Sequence, residues 1–236
     1  MLEVKAGKNV EKEAWVTIGM SPKIVTGAQK VLDVFQPGLI KSAEAMPHDP
    51  RRQYFYVEHP VEGWRVYLRT ACFIHEANQP FNAERFLVVK RTDGAADAAS
   101  WEPPKGQMEG KDGTTKSIYS ALRDNIRREV AEEAKILNIR DLQHTGLVLQ
   151  STESNYPENI FFQYHIFTGY AHQFQINGAF EKFKWYTEHP LAFERLKREN
   201  REKDGIAWYN ESETKIMGKW SPTMVKMYLG SLSKGG

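Results

Sequence analysis

From Ser117 to Ile136 the chain is built of good helix formers and contains neither glycine nor proline. No other segment constrains the fold as tightly. Within it, Arg128-Glu129-Val130-Ala131-Glu132-Glu133 sets two glutamates three and four residues beyond a third. On a helix that spacing puts all three carboxylates on one face. Ile126, Val130, Ala134 and Leu137 form an apolar stripe about 100° away around the axis, so the helix can pack on a sheet and present its acids along the edge of the contact. Like charges at this spacing destabilise a helix by roughly a few tenths of a kcal/mol per pair, so a cation is expected among them. Hard oxygen donors at short range suit Mg²⁺ or Mn²⁺. Arg127, Arg128 and Lys135 lie alongside, and the triplet alone also fits a solvated face with i,i+4 pairs.

The rest of the chain reads as strands, helix, strands, helices, an order that predicts a mixed α/β or α+β sandwich. Tyr54 to Val57, Trp64 to Ile74 and Arg85 to Lys90 are rich in aromatic and β-branched residues and are expected as strands; so are Gly146 to Gln150, Asn159 to Tyr170 and Lys182 to Tyr186. Trp101-Glu-Pro-Pro-Lys-Gly-Gln-Met-Glu-Gly has two prolines and two glycines and is expected as irregular loop. Pro190 to Lys203 is expected as a charged helix. A last helix begins at Ser221, an N-cap residue type followed by Pro222, with Val225, Tyr228, Leu229 and Leu232 as its stripe. Residues 1–52, broken by Pro22, Pro37, Pro47 and Pro50, are expected as an N-terminal extension, and residues 53–236 as the main domain with C-terminal helices. The 236 residues carry a net charge of +2, which gives no strong electrostatic footprint for nucleic acid. The single cysteine, Cys72, excludes an intramolecular disulfide and a Cys-rich zinc cluster and points to an intracellular compartment. Apolar runs such as Phe86 to Val89 are far below the roughly 18 residues of a membrane span, so no membrane role is expected.

The loop and the helix together resemble the signature of the Nudix hydrolases, G-x5-E-x7-R-E-U-x-E-E-x-G-U, with U an aliphatic residue. Gly106 fills the first glycine and Asp112 the place of the first glutamate. Arg128 to Ala134 reproduce the R-E-U-x-E-E-x core, and Ile136 supplies the last aliphatic position. Two departures stand out. Fifteen residues separate Asp112 from Arg128 where the family has seven, and Lys135 stands at the closing glycine.

The resemblance implies an α/β/α sandwich around a mixed sheet and a pyrophosphate-cleaving activity supported by Mg²⁺ or Mn²⁺. It implies that Glu129, Glu132 and Glu133 ligate metal with the Gly106 carbonyl, one of the three also serving as general base. Arg128 would orient the carboxylates, with Asp112 as its structural partner. Relatives recruit another acid from a downstream loop; Glu181 is the first candidate here, Glu158 or Glu153 the second. The W-x-x-P-K-G run is similar to the subgroup acting on RNA 5′ ends and dinucleoside polyphosphates. There Lys105 would meet a phosphate oxygen, assisted by Lys90 or Arg91. Lys182, Lys184, Arg195, Lys197, Arg198, Arg201 and Lys203 could track an RNA backbone, although five glutamates lie among them. The expected function is pyrophosphohydrolysis or decapping at an RNA 5′ end, with protein partners reached through the N-terminal extension. The alternatives are a dinucleoside polyphosphate hydrolase and an inactive Nudix module that binds RNA within a ribonucleoprotein.

Overall fold

A computed structural model of the chain describes residues 31–47, 49–92, 100–112 and 115–232, apart from the Asp112 side chain. It is α+β, with a large mixed sheet and a few helices. The strands are β1 (Ile40–Met46), β2 (Asp49–Glu58), β3 (Arg65–Glu76), β4 (Leu87–Arg91), β5 (Trp101–Glu102), β6 (Lys105–Gln107), β7 (Arg140–Ser151), β8 (Ile160–Ala171) and β9 (Lys203–Trp208). The helices are α1 (Ile118–Glu133), α2 (Gln173–Glu188), α3 (Pro190–Glu194) and α4 (Ser221–Leu232). Among the described residues no helix is long and apolar enough to cross a membrane.

Two compact units divide the chain. Among the described residues, the first holds those up to Thr70, those within Gly106–Asn125 and those within His144–Ile166; the second holds those within Ala71–Lys105, Ile126–Gln143 and those from Phe167 onward. In the first unit β1 pairs antiparallel with β2, Ile40 facing Glu58, and β2 pairs antiparallel with the start of β3, Glu58 facing Arg65. Met46, Tyr54, Tyr56, Tyr67 and Phe162 form a buried aromatic-rich cluster there. The N-terminal turns of α1 bury Ala121 and Leu122, and the Asn125 amide donates to Thr70 Oγ1 at 2.7 Å. In the second unit β4 lies between β5 and β9, antiparallel to both, with Val89 facing Glu102 on one side and Ile206 on the other. The four residues Phe86 to Val89 are wholly buried, which explains their unbroken apolar run.

Several expectations are corrected. Lys182 to Tyr186 is not a strand but part of α2: Ile176, Ala179, Phe183 and Tyr186 are its buried positions, a helical period that overrides the alternating look of Lys-Phe-Lys-Trp-Tyr. The two prolines do not keep Trp101 to Gln107 irregular, because β5 and β6 flank them and the Pro104 carbonyl accepts the Cys72 N–H at 2.9 Å. The expected helix from Pro190 to Lys203 is short, ending at Glu194; a 3-10 turn covers Arg198–Asn200, and Lys203 opens β9. In α4, Val225 and Tyr228 are buried as expected, and Met224 and Met227 join them, while Leu232 is exposed.

A buried polar chain ties residue 32 into the first unit. Gly146 N–H donates to His144 Nδ1 at 2.9 Å, His144 Nε2 lies 3.0 Å from His165 Nδ1, and His165 Nε2 lies 3.2 Å from Gln163 Oε1. Gln163 Nε2 then donates to Gln150 Oε1 and to the Leu32 carbonyl, and Leu32 N–H donates to Gln150 Oε1. One tautomer, Nε2–H on both imidazoles, satisfies every link, and an added proton on either Nδ1 would face another donor. Burial lowers His144 to about 4; burial and then His144 lower His165 well below its ordinary value. Unfolded, both titrate near 6.5, so between about pH 6.5 and 4 the unfolded chain binds more protons than the folded one. Stability from this pair is fully present above pH ~6.5 and is lost as the pH falls toward the folded values, by at most about 1.4 kcal/mol per pH unit for each histidine. Urea titrations at pH 7 and pH 5 should show that loss in the wild type and a smaller one in the His144→Gln/His165→Gln double variant.

Candidate functional site

The site grows from the C-terminal turns of α1. Ile126, Val130 and Ala134 are wholly buried beneath it, which fixes the rotation of the helix and leaves the acids at the border of the packed face. Leu137, expected on the stripe, lies past the helix end and is 78% exposed. Glu129 and Glu133 are buried, Glu132 half-buried. Arg128 bridges the first two acids: its Nη2 lies 3.0 Å from Glu129 Oε1 and its Nη1 3.1 Å from Glu132 Oε2. Burial pushes the Glu129 carboxyl up to about 8, against the pull of Arg128, and the charges of Glu133, Glu132 and Glu202 push the same way.

Glu133 belongs to a second, deeper arrangement. Its Oε2 accepts the Lys105 backbone N–H at 2.8 Å, and its Oε1 lies 3.0 Å from Lys203 Nζ. The same ammonium lies 2.5 Å from Glu102 Oε1, and Lys105 Nζ lies 3.1 Å from Glu102 Oε2, which also accepts from Ser221 Oγ at 3.1 Å. Glu133, Lys203, Glu102 and Lys105 therefore close a ring that fastens the Pro-Pro-Lys segment to the last turn of α1. Burial would raise Glu102, but Lys105 and Lys203 overcome it and hold the carboxyl down at about 2. Burial and then the Glu102 charge raise Glu133 despite Lys203. Lys203 is itself raised: burial works against its charge, and Glu133 and Glu102 outweigh it.

The backbone explains the second departure from the Nudix pattern. Lys135 has φ +60°, the left-handed conformation in which a glycine closes many helices. A lysine there is strained by about 1–2 kcal/mol. Its side chain supplies what glycine cannot: the ammonium donates to the carbonyl of Glu132 and, at 2.6 Å, to that of Asn200. Burial, followed by the charge of Lys182, lowers it to about 8. The extra length ahead of Arg128 is largely helical, since Ile118 to Arg127 all lie in α1.

The sequence-predicted residues are not all brought together. Arg128, Glu129, Glu132, Glu133 and Lys105 meet in the second unit as described. Gly106 follows Lys105 in β6, and Asp112 ends a 3-10 turn, its side chain lying outside the described residues. Lys90 and Arg91 end β4; Lys90 Nζ lies 3.6 Å from Asp204 Oδ1, in β9. Glu181 is exposed on α2, Glu158 is exposed in a turn, and Glu153 lies 3.5 Å from Arg69 in the first unit. The acid outside the motif whose charge acts on Glu129 is Glu202. Lys203, expected as a surface charge, is buried, as is Glu102. Glu102 lies inside the W-x-x-P-K-G run, three residues before Lys105, but nothing in that run marks it as buried. Nothing local marks Lys203, because the strand that buries it was expected as helix.

Among the described residues no three acidic, imidazole or thiol groups converge ready to hold a metal ion. The donor set nonetheless fits a hard divalent cation: carboxylate oxygens only, one of them kept buried among like charges and raised to about 8. In this arrangement Arg128 and Lys203 supply the positive charge.

Two variants separate strain from capping at Lys135. Lys135→Ala loses the ammonium and keeps the strain, whereas Lys135→Gly loses the ammonium and relieves it. Thermal or urea unfolding should find the glycine variant more stable than the alanine one by about 1 kcal/mol.

No family model matches the sequence, and no curated protein matches it. Among solved structures the chain is similar to a Nudix hydrolase from Nitrosomonas europaea, with 14% identity over 70% of this chain and 89% of that one and a TM-score of 0.41. It is similar to a mutT/nudix family protein from Listeria innocua, with 15% identity over 71% of this chain and 94% of that one and a TM-score of 0.38. It is also similar to Shewanella oneidensis NrtR, solved in complex with a 27mer DNA, with 11% identity over 71% of this chain and 62% of that one and a TM-score of 0.39.

Proposed function

We propose that the chain is a Nudix-type pyrophosphohydrolase acting on a nucleotide substrate at an RNA 5′ end, with Mg²⁺ or Mn²⁺ held by Glu129 and Glu132. The observation that carries the reading is the Glu129 carboxyl, buried beside Glu132 and Glu133 and raised to about 8 by burial and by their charge. A chain with no use for cations there would gain by replacing one of these acids. When bound, the ions neutralise charge on phosphoryl oxygens and lower the pKa of an attacking water.

The chain's own residues do the rest. Arg128 holds Glu129 and Glu132 side by side, so both carboxylates face one place before any ion arrives. The Lys105 ammonium, 18% exposed and resting on Glu102, is a point charge for a phosphate oxygen; the Glu133 bond to its N–H fixes the backbone it projects from. Lys90 and Arg91 sit at the end of β4 as further phosphate partners. Glu202, whose charge acts on Glu129, joins Glu181 as a candidate for the base. The RNA preference rests on the W-x-x-P-K-G resemblance.

Glu129→Gln and Glu132→Gln test the reading, with the release of phosphate or mononucleotide followed at saturating Mg²⁺. The substrates are 5′-triphosphorylated RNA, capped RNA and diadenosine tetraphosphate. Each variant should lose about 100-fold or more in kcat, the scale of several kcal/mol of transition-state charge stabilisation. Full activity in both would refute the assignment. Turnover of the dinucleotide alone would move the substrate from RNA to dinucleoside polyphosphates, and metal-independent inertness with RNA bound would favour a binding module.

A further inference from the structure

The Lys203 ammonium occupies a point where a cation is demanded by the protein itself. Its side chain is only 5% exposed, and it lies between Glu102 Oε1 at 2.5 Å and Glu133 Oε1 at 3.0 Å, carboxylates whose side chains are 2% and 3% exposed. Two buried anions facing each other across so short a gap would repel strongly in that low-dielectric setting unless a positive charge stood between them. The second oxygens of both acids are engaged as well, Glu133 Oε2 by the Lys105 N–H and Glu102 Oε2 by Lys105 Nζ and Ser221 Oγ. The lysine is delivered from a fixed backbone: β9 pairs with β4, and Lys203 faces Arg91 across that pairing. A divalent ion on Glu133 would have to settle against this ammonium. Glu129 and Glu132, by contrast, share Arg128, whose side chain is 22% exposed, more than that of Lys203.

We propose that Lys203 is a built-in cation standing where a divalent ion would otherwise join Glu102 to Glu133, so that Glu133 is a positioning residue for the Lys105 segment and bound metal is confined to Glu129 and Glu132. The inference rests on the metal-dependent reading above for the second half of that statement only. Lys203→Met removes the charge and keeps the bulk, so two buried acids are left to gather a cation from solution; Lys203→Arg keeps the charge.

Mn²⁺ binding to the full-length chain, counted by electron paramagnetic resonance and by calorimetry, provides the test, with thermal unfolding in parallel. Lys203→Met should bind one more Mn²⁺ per chain than the wild type. It should melt earlier than the wild type without metal and recover more of its melting temperature when Mn²⁺ is added. Lys203→Arg should keep the wild-type count. Should Lys203→Met fail to fold, Glu133→Gln decides: the proposal expects an unchanged Mn²⁺ count, and a fall in the count overturns it. Wild-type binding of Mn²⁺ with no gain in Lys203→Met overturns the role of Lys203 and leaves the hydrolase reading standing. No Mn²⁺ on the wild type, with one gained by Lys203→Met, does the reverse. Failure of every variant to bind removes both.

Discussion

The buried ring of Glu133, Lys203, Glu102 and Lys105 is the interaction on which the site depends. It joins the end of α1, the Pro-Pro-Lys segment and the start of β9 through direct polar contacts. Its charges sum to zero, and its members are desolvated to a degree that lone charges do not tolerate. Removing one member of such a buried set strands its partners, a loss on the order of 3–5 kcal/mol. Because Ser221 at the head of α4 also donates to Glu102, the last helix reports to the same ring.

Outside the ring the balance changes sign. Glu129 and Glu132 both pair with Arg128, and the charge of Glu202 acts on Glu129. The end of the helix thus divides its acids between the charge-balanced ring at Glu133 and the pair Glu129 and Glu132 bridged by Arg128. On the proposed reading, chemistry that needs a divalent ion belongs to the pair on Arg128, and holding Lys105 in place belongs to the ring. This division gives each glutamate of the motif its own physical reason to be there. Just past the helix, Lys135 adopts a left-handed backbone while its ammonium donates to the carbonyls of Glu132 and Asn200.

Periodicity made much of this legible. The stripe of Ile126, Val130 and Ala134 gave the rotation of α1 and therefore the shared face of the acids. The strands between Tyr54 and Lys90 stood out because their residues are β-branched, aromatic and largely buried, whereas β1, Ile40–Met46, is mostly small and polar and reads as part of the extension. Lys182 to Tyr186 misled because five residues that alternate polar and aromatic types satisfy a strand pattern, and only the longer Ile176 to Tyr186 span displays the helical period. Lys203 was invisible for a different reason. A lysine in a charged stretch reads as solvated, and its burial depends on Glu102 and Glu133, residues 101 and 70 positions away in the chain. Long-range charge pairing leaves no local trace.

A crystal of the protein soaked in Mn²⁺, with data collected at an energy where manganese scatters anomalously, tests the central claim most directly. An anomalous peak should lie between the Glu129 and Glu132 carboxylates, with Arg128 swung away and the Lys203 ammonium still seated on Glu102 and Glu133. Both carboxylates remaining on Arg128 with no peak beside them, at Mn²⁺ concentrations that saturate other divalent sites, would contradict it.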